Sequence, residues 1–124
     1  MKKIILILPL LLLLISCYPQ ERNCKDFKTG EFSFTQTIDS IPQTSTFVRT
    51  EKLQIETFKG KTDTASIRWI NDCEYVLLKL HPKNRQEKKA ISMKILTTKE
   101  KTYTFEYSYV GEAKKQKGLV TKLN

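Results

Sequence analysis

After residue 29 the chain alternates apolar with polar residues in stretch after stretch, and the spacing of an amphipathic helix is absent. Phe32, Phe34 and Ile38 oppose Ser33, Thr35 and Thr37, and Ala65, Ile67 and Trp69 oppose Ser66 and Arg68. Ile91, Met93 and Ile95 share one parity, and Tyr103, Phe105, Tyr107 and Tyr109 form an aromatic row on another strand. A period of two describes strands with one face buried and one wet. Parallel pairing would need crossovers of about a dozen residues, usually helical. None is present between these segments, so the sheet is predicted to be antiparallel throughout.

Seven or eight short strands follow from this reading, with turns expected at "IPQTS" (41–45), "KGKTD" (59–63), "ND" (71–72) and "TTKEK" (97–101). Two basic loops are expected at "HPKNRQEKK" (81–89) and "GEAKKQKG" (111–118). The stretch "TFVRTEKLQIETF" reads as one long strand or two abutting ones, and "CEYVLLKL" (73–80), the most apolar, as a central strand covered on both faces. Such a meander would expose edges unless it closed on itself, which favours a barrel or half-barrel resembling the lipocalin kind over a small two-sheet sandwich. The whole is a single all-β domain.

The amino terminus does not belong to that domain. Met1-Lys2-Lys3 is a basic head, and Ile4 to Ile15 is a run of twelve residues, apolar apart from the imino acid Pro9. Twelve helical residues rise about 18 Å, short of the roughly 30 Å hydrocarbon core, so the pattern is that of a secretory signal. Leu14-Ile15-Ser16-Cys17 resembles the lipobox of bacterial lipoproteins. That resemblance implies a diacylglyceryl group on the Cys17 sulfur, cleavage after Ser16 and a lipid anchor in the membrane. The expected division is a signal peptide over 1–16, lipidated Cys17 with a tether over 17–23, and the β-domain over 24–124. Without Lys2 and Lys3 the mature charge is (22 − 2) − 13 = +7. Tyr18 is not the Asp that resembles an inner-membrane retention signal, so a periplasm-facing position on the outer membrane is expected.

The chain has three cysteines, an odd count for an exported protein. With Cys17 taken by lipid, as the lipobox resemblance implies, Cys24 and Cys73 remain as a disulfide candidate in an oxidising compartment. The alternative is two separately buried thiols packed as small hydrophobes.

Candidate chemistry is sparse. His81 is the sole histidine, so neither a zinc site nor a histidine-based metal cluster is expected. No Gly-rich phosphate loop and no "GxSxG" motif occurs, and no cofactor is implied. A hydrolase or enzyme inhibitor would need a pocket where His81 meets Asp72, Glu74 or a serine. Trp69, Tyr103, Phe105, Tyr107 and Tyr109 are either core or the lining of a cavity for a small apolar ligand. Lys83, Arg85, Lys88 and Lys89 in one loop, with Lys114, Lys115 and Lys117 in the other, are either solvated tips or a patch for anionic lipid headgroups or envelope polymers. Nucleic acid is not an expected partner outside the cytoplasm.

The stretch from "LQIETFKGKTDTASIRWINDCEYVLLKLHPKN" through "EKKAISMKILTTKEKTYTFEYSYVGEAKKQKG" resembles a group of short exported proteins of flavobacteria-type bacteria, some of which are labelled topoisomerases. A type II topoisomerase needs a nucleophilic tyrosine beside an arginine and a metal-binding acidic cluster. None of Tyr75, Tyr103, Tyr107 or Tyr109 has that setting. The expectation is therefore a non-enzymatic, lipid-anchored envelope protein that binds a small ligand or another envelope protein.

Overall fold

A computed structural model describes residues 22–124; the predicted signal peptide, Cys17 and the start of the tether lie outside the described residues. Eight antiparallel strands run in chain order and close into a barrel: β1 (Gly30–Ile38), β2 (Ile41–Arg49), β3 (Leu53–Phe58), β4 (Lys61–Asn71), β5 (Glu74–Lys79), β6 (Ile91–Lys99), β7 (Thr102–Tyr109) and β8 (Gln116–Lys122). The seam is short, pairing Phe32, Ser33 and Phe34 of β1 with Lys122, Thr121 and Val120 of β8. Register shifts between Trp69 and Asn71 and between Ile95 and Thr97 bend β4 and β6 around the closed surface. A half-barrel or two-sheet sandwich would leave unpaired edges, and here every strand has two partners.

Two-residue turns place several strand ends differently from the sequence expectation. The first hairpin turns at Asp39 and Ser40, both at positive φ (52° and 64°), so "IPQTS" belongs to β2. Short polar side chains tolerate that region, and two successive positive φ values match the right-handed twist of the flanking strands. The stretch around "VRTEKL" is split at Thr50–Lys52, where Thr50 Oγ1 accepts hydrogen bonds from the backbone N–H groups of Leu53 (3.1 Å) and Lys52 (3.4 Å). Thr97 to Lys99 extend β6, and Lys117 and Gly118 lie within β8.

The expectation of a strand covered on both faces is corrected at β5. Tyr75 and Leu77 are buried, whereas Leu78 and Leu80 are 44% and 46% exposed. A closed barrel has a single interior, so each strand can bury only one parity.

One end of the barrel is plugged. A short 3-10 helix, Cys24–Phe27, sits across it with Cys24 and Phe27 both buried. The Phe27 ring meets the Tyr103 ring edge-on at 5.0 Å, and the helix joins a core of Phe32, Phe47, Ile95, Tyr103, Phe105 and Val120. A Cys24–Cys73 disulfide, with Cα atoms 5.2 Å apart, ties the plug to the turn between β4 and β5. A four-residue helix cannot hold itself in place, so the bridge and the Phe27 ring fix it. Gly118 permits close packing on the opposite wall, where a Cβ would come within 2.7 Å of the Phe105 ring and 2.8 Å of the Phe34 ring.

The disulfide spans 49 positions, and closing such a loop restricts the unfolded chain by about 4 kcal/mol in the chain-entropy model. The double variant Cys24→Ala/Cys73→Ala is therefore expected to lose about 4 kcal/mol of unfolding free energy, read by urea denaturation.

Candidate functional site

In an up-and-down barrel successive turns alternate between the two ends. The turns after β2, β4 and β6 share the plugged end with the 3-10 helix; those after β1, β3, β5 and β7 surround the other end. Side chains near the ends of β2 and the starts of β5 and β7 therefore meet above the plug.

Arg49, the last residue of β2, occupies that place. It follows the inward parity of Ser45 and Phe47 and is only 2% exposed. Its Nη1 donates to the Phe27 carbonyl (2.6 Å), and its Nη2 donates to the hydroxyls of Tyr75 (2.8 Å) and Tyr103 (2.9 Å). Nε and Nη2 each lie 3.2 Å from Gln54 Oε1. The guanidinium carbon sits 4.8 Å from the ring centres of Phe32 and Tyr75 and 5.2 Å from that of Phe47. Planar guanidinium suits such faces. No carboxylate forms an ion pair with Arg49 among the described residues.

Burial opposes the Arg49 charge, and the neighbouring Tyr75 and Tyr103 oxygens outweigh it, so the net shift of the pKa is upward. The group is a permanent cation. Burial pushes the Tyr75 phenol well above its ordinary range, with Arg49 offsetting only part of the effect.

Above this floor lies a cavity of about 160 Å3 that opens toward the unplugged end. Phe34, Phe47, Leu77, Met93, Phe105 and Val120 supply its apolar wall, and Ser45, Gln54, Glu56 and Tyr107 its polar points. The aromatic row is thus divided: Tyr103 forms the floor, Phe105 and Tyr107 the wall, and Tyr109 stands at the mouth with Lys89 Nζ 6.0 Å from its ring. Trp69 does not line the cavity. It packs on Tyr75 at 4.5 Å, its buried Nε1 has no hydrogen-bond partner among the described residues, and Lys28 Nζ lies 5.2 Å from its ring centre.

The two basic loops meet at the mouth through Lys89 and Glu112, whereas Lys115 lies on the outer wall beside Lys94 and Glu106 and Lys117 pairs with Glu106 in the β7–β8 ladder. Lys83, Arg85, Lys88 and Lys89 lie between β5 and β6, Lys114 and Lys115 between β7 and β8, and Lys117 near the start of β8. Lys89 pairs with Glu112 across the loops at 3.2 Å. Lys79 reaches Asp63 (3.1 Å) and Glu87 (3.3 Å) at the same end.

His81 and its expected carboxylates are kept apart. His81 is exposed at the open end, beside Asp63, Lys79 and Lys83. Asp72 lies at the plugged end, where Lys28 at 2.8 Å and Lys25 at 3.9 Å contact it, and the Lys28 hydrogen bond holds its carboxyl below the usual range. Glu74 is at that end too, accepting from Asn71 at 3.1 Å. The six residues of β5 alone rise about 20 Å between the two groups.

Arg49 is the site residue that the alternation reading passed over. Its signal was present in "TFVR", where an arginine takes the apolar parity of Phe47. Cationic residues are rarely fully buried without a partner, so this was the position on β2 that called for explanation. No protein-family model, curated protein or solved structure matches the chain.

The raised Tyr75 pKa has a signed consequence. An acid whose folded pKa lies above its unfolded value of 10.0 contributes fully below pH 10 and loses that contribution as the pH rises beyond it. Unfolding free energy is therefore expected to decline above pH 10. Tyr75→Phe should lower stability by roughly 1 kcal/mol at neutral pH by removing one of the acceptors of Arg49 Nη2, yet show a shallower alkaline decline. Urea midpoints on both sides of the tyrosine range check this.

Proposed function

We propose that the chain is a lipid-anchored envelope protein whose barrel takes up a small, largely apolar molecule and performs no catalysis of its own. The observation that carries this reading is the apolar cavity of about 160 Å3, closed at one end by the plug and open at the other. Its volume is comparable with that of cavities that bind benzene, although this one is open to solvent at the mouth. Convergent nucleophile, base and oxyanion donors are missing from its lining, which is aromatic and aliphatic with scattered polar points.

The position of the amino terminus supports the anchoring half. Arg22 Nη1 bonds the Ile95 carbonyl (3.1 Å) and the Asn23 amide bonds Thr98 Oγ1 (2.8 Å), both near the plugged end. Five positions separate Cys17 from Arg22, a reach of about 18 Å at most. A lipid on Cys17 would hold the plugged end at the membrane and turn the mouth away. The basic loops would then face the periplasm, which favours soluble or polymeric anions over headgroups of the anchoring leaflet.

Two measurements test the reading. Intact mass of the membrane fraction should show acyl chains on wild type and none on Cys17→Ser; a wild-type mass without acyl chains removes the anchor. Toluene, titrated against the purified chain, should saturably shift the Met93 methyl resonance, and Leu77→Trp, which fills the cavity, should abolish the shift. A folded wild type that ignores toluene would remove the internal site.

A further inference from the structure

The floor of the cavity is a cation in search of an anion. Arg49 is 2% exposed, and its hydrogen-bond partners are neutral: a backbone carbonyl, an amide oxygen and two hydroxyls. Burying a charge without a counter-ion is costly, and here neutral acceptors and ring faces alone offset that cost. An anion held at this floor would add to that offset.

Donor counting points the same way. Nη1 carries two hydrogens and has a single acceptor, the Phe27 carbonyl, among the described residues. Tyr75 and Tyr103 both accept from Nη2, and at most one of their hydroxyl protons can serve the other hydroxyl. Among the described residues, at least one N–H and one O–H therefore remain without a partner, on residues that line the cavity. Two donors and a fixed positive charge suit the paired oxygens of a carboxylate.

The rest of the cavity limits what the carboxylate is attached to. Its walls of Phe47, Leu77, Met93 and Phe105 accept an apolar body, and about 160 Å3 holds a single ring or a short branched chain. Glu56 also lines the cavity and repels any anion that enters, a doubly charged one most. Mouth lysines raise the local concentration of anions and speed their entry.

We propose that the barrel selectively binds small apolar monocarboxylates, with the carboxylate on Arg49 and the Tyr75 and Tyr103 hydroxyls and the hydrocarbon along the Phe47, Leu77 and Met93 wall. This rests on the internal-site reading, and adds the head group that the site selects. Arg49 is the specificity-determining residue, and Tyr75 and Tyr103 are its partners at the carboxylate.

The test compares benzoate, benzyl alcohol, toluene and palmitate on the full chain, read by the Met93 methyl and the Arg49 Nε resonances. Benzoate is expected to bind at least about tenfold more tightly than benzyl alcohol, the discrimination of one charge-assisted contact, and to move the Arg49 Nε resonance. Arg49→Met should erase that preference. Glu56→Gln, at an exposed wall position that does not support the fold, should raise the ratio of benzoate to toluene affinity severalfold, and an unchanged ratio counts against the proposal. Toluene binding without a benzoate preference would overturn the carboxylate assignment and leave the internal site standing. Tighter binding of palmitate than of benzoate would overturn it in favour of a long lipid chain. If none of the four binds, both the carboxylate assignment and the internal site fall.

Discussion

The guanidinium of Arg49 is the contact on which the interior is organised. From one side chain on β2 it reaches the plug through Phe27, β3 through Gln54, β5 through Tyr75 and β7 through Tyr103. Backbone ladders join neighbouring strands around the circumference but cannot set the distance across the barrel. Arg49 spans that distance with a rigid, planar donor fork. The rings of Phe32, Phe47 and Tyr75 close over the same cation, so the apolar packing and the polar network share one centre. Arg49 and the floor of the cavity are therefore the same structure.

The asymmetry of the two ends has a separate cause. At the plugged end a covalent bridge and an aromatic side chain hold four residues over the opening. At the other end the connections 80–90 and 110–115 are longer and carry most of the clustered lysines. Their charges are held apart by solvent and by a few exposed pairs such as Lys89 with Glu112, which contribute little to stability. Rigidity thus lies at one end of the barrel and clustered charge at the other.

Much of the barrel was legible along the chain. The inward positions Phe32, Ile67, Ile95, Tyr103 and Phe105 follow directly from alternation, because the side-chain period is a property of a single strand. Turns were less legible where they lacked glycine. Asp39 and Ser40 form the first hairpin at positive φ, whereas the turn expected at "IPQTS" begins two residues later, inside β2. The apolar run Val76 to Leu80 suggested burial on both faces, a reading that suits a sheet between two layers and fails for a barrel wall.

The sequence by itself determined an all-β, antiparallel domain and the membership of its strands, since pattern and pairing direction depend on residues close together in the chain. It also singled out Cys24 and Cys73 as the pair available for bridging. Only the tertiary structure decided which end is closed, that His81 stands apart from Asp72 and Glu74, and that Arg49 finds partners 5, 22, 26 and 54 positions away. The cavity belongs to that second group, because its volume is the difference between the space that eight closed strands enclose and the side chains they point inward. No single strand contains that quantity.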